Sequence, residues 1–289
     1  MQDYIIFTDS AADIAPEVLA EWGVSYATLT FRFQNEDREY SNSEMPVEAF
    51  YDRMRAGGVA KTAAVNTEAF YSMFDLALKD GKDLLYLGFS SGLSTTYNSA
   101  RLAAEALAKE YPDRKIITVD TLCASAGQGM LIYLVTEQKK KGADIEAAAE
   151  YARALVPNLC HWFTVDDLVY LKRGGRVSPT AAFVGNMLGI KPVLHVDNEG
   201  HLISKSKVRG RKSAILALAQ QYGEKAIHDE RNDTLFISHA ACLNDAEALA
   251  SILKTEYNVK NVFITNVGPV IGAHSGPGTL ALFFVGKER

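Results

Sequence analysis

Short apolar segments alternate with helical patterns along the first half of the chain, and this alternation constrains the fold more than any other feature. The apolar segments are YIIFT at Tyr4–Thr8, DLLYLGF at 83–89 and KIITV at 115–119. Because a helical segment follows each one, the strands must be joined by crossovers and pair in parallel. The sequence therefore predicts an α/β fold whose N-terminal domain has three layers around a parallel sheet. A further strand is expected at Val24–Phe31.

The second half of the chain has a different pattern. Apolar segments at 190–196 and 201–208 flank the turn sequence DNEG, which is typical of a β-hairpin. Helices are expected at Pro179–Leu188 and Asn244–Glu256, and a last strand at TLALFFV. This mixture predicts a C-terminal α+β domain. A chain of 289 residues suits two domains, which we place at 1–157 and 158–289.

Composition excludes several classes of function. The net charge is −5 and the pI is about 5.7, so nothing favours nucleic acid or an anionic membrane as a partner. No apolar run has the length of a membrane span, and the N-terminal segment lacks the pattern of a signal peptide. The three cysteines lie far apart, so we expect reduced thiols, no metal site and a cytoplasmic location.

Polar residues follow each predicted strand of the first half. The strand ends are marked by Asp9-Ser10, by the hydroxyl-rich segment 90–96 (SSGLSTT) and by Asp120-Thr121. Hydroxyls and free amides at helix starts suit an anion or a carboxylate. Helix capping is the simpler explanation for Asp9, Ser10 and Asp120. The segment with Ser90, Ser91 and Ser94 carries more hydroxyls than one cap requires.

Basic and imidazole side chains supply further candidates. Arg173 and Arg176 enclose the glycines of RGGR and are able to clamp a phosphate or carboxylate, although a solvated loop is equally compatible. His274 lies in a loop rich in glycine and proline, just before the apolar run Leu280–Val285. We expect His161 to pack within a strand, and His195 and His201 to be exposed beside the hairpin turn.

Six segments together resemble the DegV family, which includes the FakB subunits of bacterial fatty acid kinase. The segments, in chain order, are FTDSAAD, GFSSGLSTTYNSA, VDTLCASAGQGML, LKRGGRVS, KVRGRKSA and GAHSGPGTLALFFVG. This resemblance implies a two-domain fold that holds one long-chain fatty acid in a buried apolar tunnel, largely within the second domain. It implies no cofactor. It also implies a lipid carrier, not an enzyme, whose partner is a separate ATP-dependent kinase subunit.

The resemblance also implies roles for individual residues. Thr62, Ser94 and His274 would hold the fatty-acid carboxylate. Ser90, Ser91, Asp9 and Ser10, which follow the predicted strands, would form the rim of this site. Arg176, and less directly Arg173, would dock the kinase or handle the phosphate. One segment departs from the family, because Thr62 is followed by Ala63-Ala64-Val65-Asn66 where Ser-Gln-Pro-Ser is frequent.

Two other functions remain open at this point. A Ser/His acyl hydrolase or transferase would use Ser94 or Ser91 with His274, although the sequence has no GxSxG nucleophile elbow. A small-sugar or triose-binding module, which attaches its substrate through a histidine, would require a polar cavity. No Walker A or GxGxxG motif is present, so the sequence does not predict an independent nucleotide site.

Overall fold

The computed structural model describes residues 3–177 and 189–289. Its strands are β1 (Tyr4–Asp9), β2 (Val24–Ala27), β3 (Thr30–Phe33), β4 (Tyr40–Ser41), β5 (Ala60–Ala63), β6 (Asp83–Gly88), β7 (Ile116–Asp120), β8 (Leu159–Thr164), β9 (Ile190–Val196), β10 (Leu202–Arg209), β11 (Thr234–His239), β12 (Asn261–Asn266) and β13 (Leu280–Val285). Its α-helices are α1 (Pro16–Glu21), α2 (Val47–Arg55), α3 (Thr67–Lys79), α4 (Thr96–Glu110), α5 (Ala126–Lys140), α6 (Ile145–Leu155), α7 (Val169–Gly174), α8 (Arg211–Lys225), α9 (Leu243–Tyr257) and α10 (Pro269–Ser275). The predicted helix at 179–188 lies outside the described residues.

The first half forms the parallel sheet that the alternating pattern predicted. Its strand order is β2-β1-β6-β7, and every neighbouring pair is parallel. Strand β6 is buried along its whole length because helices cover both faces of the sheet. The carboxyl ends of β1, β6 and β7 therefore meet at one edge. The α/β fold class is confirmed.

The second half forms a mixed sheet with the order β10-β9-β8-β13-β11-β12. Its pairs are antiparallel except for β11 and β12, which are parallel. Helices α8 and α9 pack on one face of this sheet, and α5 packs on the other. Helix α5 also contacts β6, so it lies between the two large sheets.

A third, small antiparallel sheet with the order β4-β3-β5 was not predicted. The single strand expected at Val24–Phe31 is wrong, because the chain leaves the parallel sheet after Ala27. The Leu29 N–H then donates to Ser10 Oγ (2.9 Å) instead of continuing the ladder with β1. Strand β3 pairs with β5, with Phe31 opposite Thr62.

An aromatic cluster joins this small sheet to the second half of the chain. Phe31, Phe50 and Tyr51 pack with Val267 and Ala273 on either side of the start of α10. Residues before and after position 157 therefore share one apolar cluster. The domain boundary that we placed there stays a prediction.

The histidines near the hairpin differ from one another. His201 is exposed, as expected, but His195 is 3 % exposed and the expectation that it lies at the surface was wrong. Strand β9 lies between β10 and β8, and His195 stacks on Trp162 with ring centroids 4.8 Å apart. Burial lowers the pKa of His195 to about 4, so the ring is neutral. His161 is buried, as predicted.

Candidate functional site

A cavity of about 450 Å³ lies between the parallel sheet and the mixed sheet. Its wall is mainly apolar and includes side chains from both halves of the chain: Leu29, Phe89 and Leu93 from the first, and Phe163, Leu202 and Phe283 from the second. Volumes of about 300–1,000 Å³ are typical of small-molecule sites. The apolar run Leu280–Val285 contributes to the wall through Ala281 and Phe283.

Five of the predicted site residues line this one cavity: Thr62, Ser91, Ser94, Arg176 and His274. Thr62 Oγ1 and His274 Nε2 are 2.8 Å apart and share a hydrogen bond. The two residues arrive from different elements, since Thr62 lies in β5 and His274 near the end of α10. The structure thus gathers into one wall predicted polar residues from four segments that are widely separated along the chain.

The backbone around His274 is helical, not the loop that we expected. Two glycines, one in α7 and one in α10, allow neighbouring side chains to approach the backbone closely. A Cβ at Gly174 would lie 2.3 Å from His274 Nδ1, and a Cβ at Gly272 would lie 2.2 Å from the Tyr51 hydroxyl. The imidazole is therefore enclosed by the end of α7 on one side, while its own helix packs closely on Tyr51.

The imidazole of His274 is held in its neutral form. Burial, and secondarily the positive charge of Arg176, lower the pKa of His274 to about 4. Among residues 3–177 and 189–289, His274 Nδ1 is buried without a hydrogen-bond partner. With Nε2 bonded to Thr62, no described carboxylate orients this ring as the acid of a catalytic triad would.

Ser94 lies in the loop that leads into α4. Its Oγ hydrogen-bonds Thr96 Oγ1 (2.9 Å) and accepts from the Thr96 N–H (3.2 Å). It is bonded to the start of the helix and not to an imidazole.

Arg176 reaches the same loop, because its Nη2 and Nε donate to the Leu93 carbonyl at 3.2 and 3.3 Å. Arg176 is half-buried, and this burial lowers its pKa.

The predicted rim residues and Arg173 divide into two groups. Ser91 is exposed and lines the cavity, but Ser90, Asp9, Ser10 and Arg173 are not part of its wall. Asp9 is fully buried, where it accepts from the Tyr86 hydroxyl and the Phe89 and Ala11 amides. Ser90 Oγ donates to the Gly200 carbonyl. Asp9 caps the short 3-10 turn Ser10–Ala12, as the capping explanation anticipated, whereas Ser10 Oγ accepts from the Leu29 N–H and caps no helix.

Sequence reasoning missed three residues that bond to the chain around the start of α10. They are Asp13, Asn42 and Tyr51, all from the first half. Asp13 belongs to the FTDSAAD segment, which was a usable signal. No local pattern distinguishes Asn42 or Tyr51 from ordinary loop and helix residues.

The part of the chain that the structure describes contains no cluster of three or more side chains suited to bind a metal ion.

Within those same residues, no helix combines the length and apolar character needed to cross a bilayer.

Fold and cavity together define an α/β protein with one cavity wall that is mainly apolar and is shared by both halves of the chain. The family model described as "Uncharacterised protein, DegV family" matches residues 4–287. A DegV domain-containing protein of Clostridium perfringens is 42% identical over 290 residues, covering 100% of this chain and 99% of the relative. The chain belongs to the DegV family.

Solved structures agree with this assignment. The crystal structure of a DegV lipid-binding protein from Thermotoga maritima has a TM-score of 0.84 at 32% identity, with 99% of each chain covered. A DegV family protein from Thermus thermophilus, described for its fatty-acid binding, has a TM-score of 0.87 at 27% identity, with 99% of this chain and 100% of that chain covered. Both similarities extend over nearly the whole chain.

Proposed function

We propose that this protein binds one long-chain fatty acid, with the acyl chain in the cavity and the carboxylate at Thr62, Ser94 and His274. The observation that carries the proposal is the hydrogen-bonded pair Thr62–His274 in the wall of an otherwise mainly apolar cavity. Hydroxyl and imidazole N–H groups are donors that a buried carboxylate requires. The fatty-acid and lipid binding described for the Thermus and Thermotoga relatives supports the same conclusion.

The energetics favour an amphiphile over a small polar ligand. Each methylene removed from water contributes about 0.8 kcal/mol, so a chain of roughly sixteen carbons supplies more than about 10 kcal/mol before the costs of binding. A carboxylate buried without donors would cost several kcal/mol of this gain. A mainly apolar wall that also carries the hydroxyls of Thr62 and Ser94 and the imidazole of His274 meets both requirements.

We further propose that the bound carboxylate is presented to a separate ATP-dependent kinase. A carboxylate oxygen would attack the γ-phosphorus of ATP held by that kinase, and ADP would leave, giving an acyl phosphate. Arg176 supports this step because its guanidinium lines the cavity beside Ser94 and carries a positive charge suited to a phosphoryl group. This chain itself has no Walker A sequence.

The hydrolase alternative has weaker support. It needs a serine hydroxyl activated by His274, but Thr62 occupies Nε2 and Ser94 Oγ is bonded to Thr96. The triose-binding alternative predicts a polar cavity, whereas Leu, Val and Phe side chains supply much of this wall.

Identification of the co-purified ligand tests the proposal most directly. Purified protein is extracted with organic solvent, and mass spectrometry then determines the masses of the extracted molecules and of the intact protein. We expect a free long-chain fatty acid at about one molecule per chain. An acyl adduct on Ser94 or Ser91 would support the hydrolase or transferase, and a triose attached to His274 would support the sugar module.

A further inference from the structure

Helix α10 is too short and too poorly capped to be stable without contacts from the rest of the protein. It has seven residues, and isolated helices shorter than about twelve residues are marginal in water. Its N-cap is Gly268, which has no side chain to bind the first amides, and Pro269 has no N–H at all. The place of His274, which this helix carries, therefore depends on contacts from the rest of the protein.

Two side chains from the first half bind the free amides of this helix. Asn42 Oδ1 accepts from the Val270 N–H at 2.8 Å, and Asp13 Oδ1 accepts from the Gly268 N–H at 2.9 Å. The amide of Asn42 has a fixed orientation, because its Nδ2 donates to the Ser10 carbonyl at 2.9 Å. A Cβ at Gly268 would lie 2.8 Å from both side chains, so they close tightly over the helix start.

Asp13 is itself rigidly held. Its backbone is in the left-handed region with φ of 53°, and its side chain is buried. Its Oδ2 accepts from Ser125 Oγ at 2.5 Å, while its carbonyl accepts from Thr265 Oγ1 at 2.8 Å. Asp13 thus connects the start of α5, the end of β12 and the start of α10.

This anchor is close enough to control the imidazole. His274 follows Val270 by four residues, so the two lie one turn apart on the same face, about 6 Å along the axis. A displacement of the helix start therefore moves His274 relative to Thr62, which lies in β5.

We propose that Asn42 and Asp13 are positioning residues that hold α10 so that the His274 imidazole meets a ligand carboxylate. The proposal deepens the fatty-acid-binding function and rests on it. Neither residue lines the cavity, so neither is assigned contact with the ligand.

Asn42→Ala is the informative variant. Asn42 is half-buried in a loop, and Tyr51 still donates to the Val267 carbonyl at 2.7 Å, so the fold is retained. Asn158→Ala is the matched control, since Asn158 is also half-buried and donates to backbone carbonyls of Gly286 and Lys287. Asp13→Asn, which keeps an oxygen for the Gly268 amide, is compared with Asp13→Ala.

Binding of palmitate and of hexadecanol is measured with the delipidated full chain. Loss of one helix-capping bond corresponds to about a fivefold to tenfold weaker palmitate affinity in Asn42→Ala, with hexadecanol affinity unchanged. Asn42→Ala added to His274→Ala produces no further loss, and Asn158→Ala leaves both affinities at wild-type values. Asp13→Asn retains more palmitate affinity than Asp13→Ala.

NMR of the His274 ring in the delipidated protein tests the positioning role separately from the proposed fatty-acid binding. A shift of these resonances in Asn42→Ala, in a protein that binds neither palmitate nor hexadecanol, supports the positioning role and overturns the fatty-acid function. Unmoved resonances overturn the positioning role. Equal losses for the acid and the alcohol, or a full loss in the His274→Ala background, also overturn it.

Discussion

Thr62 and His274 are 212 positions apart in the sequence, yet Thr62 Oγ1 lies 2.8 Å from His274 Nε2. This contact joins the small antiparallel sheet to α10 in the wall of the cavity. The hydroxyl and the imidazole are thereby oriented toward each other before a ligand arrives. Preorganised donors of this kind lower the cost of binding a carboxylate.

Removing the hydroxyls should weaken binding of the acid without unfolding the chain. In Thr62→Ala and in Ser94→Ala, each lost bond to a charged group costs about 1.5–3 kcal/mol, or roughly tenfold to a hundredfold in fatty-acid affinity. Calorimetric titration measures the fatty-acid affinity of each variant. Hexadecanol is the ligand control, and Thr255→Val, on the exposed face of α9, is the protein control. Wild-type lipid occupancy in the Thr62→Ala, Ser94→Ala double variant contradicts the assignment.

Arg176→Ala should separate binding from phosphorylation. We expect the fatty acid to stay bound, because Thr62, Ser94 and His274 remain, while acyl phosphate formation with the partner kinase falls. Arg173→Ala is the comparison, since Arg173 is exposed and does not line the cavity. A reconstituted assay that shows wild-type turnover for Arg176→Ala removes the proposed role.

The titration of His274 should respond to Arg176. The pKa of His274 is lowered to about 4 by burial first and by Arg176 second, so Arg176→Gln should raise it. Because the unfolded chain takes up the proton near pH 6.5, this group reduces the free energy of unfolding as pH falls from about 6.5 to about 4. NMR titration of the ring and denaturation at several pH values measure both effects. A pKa that stays at about 4 in Arg176→Gln argues against the charge interaction.

Gly174→Ala should displace the imidazole. The added Cβ would lie 2.3 Å from His274 Nδ1, and overpacking of this kind costs about 1–3 kcal/mol. We expect weaker fatty-acid binding and altered His274 ring resonances. Gly175→Ala is the neighbouring control: it strains a backbone with φ of 70° but meets no atom within 4 Å. Equal binding losses in the two variants would indicate a general effect on α7.

Filling the cavity should shorten the preferred ligand. Ala281 lies in its wall, so Ala281→Leu reduces the space for the acyl chain. Mass spectrometry of co-purified lipid should show a distribution shifted to shorter chains. Ala217→Leu, on the partly buried face of α8 and outside the cavity wall, controls for the added volume. An unchanged distribution would mean that the chain does not pass Ala281.

The parallel sheet was predictable because strands buried on both faces are continuously apolar, as in β6. The small antiparallel sheet was not. Its β3 continues the pattern of β2 in sequence, and only the bond between Leu29 N and Ser10 Oγ marks where the chain turns away. Strand β5 is equally short, and its sequence AKTA is not apolar enough to predict a strand, so the place of Thr62 in a sheet was missed.

The candidate site shows the same limit. His274 and Ser94 were found because they stand in unusual local segments and resemble a known family. Asn42 and Asp13 act through bonds to backbone amides more than two hundred positions away. Such bonds depend on tertiary packing, which no short stretch of sequence encodes. The same applies to His195, whose burial follows from the strand that covers it.

The cavity wall takes side chains from both halves of the chain, so a ligand bound there would contact both halves at once. Ligand binding and folding stability are then linked, because a ligand at a hundred times its Kd adds about 2.7 kcal/mol to the free energy of unfolding. Binding of the proposed ligand would therefore raise both the melting temperature of the chain and its resistance to proteolysis.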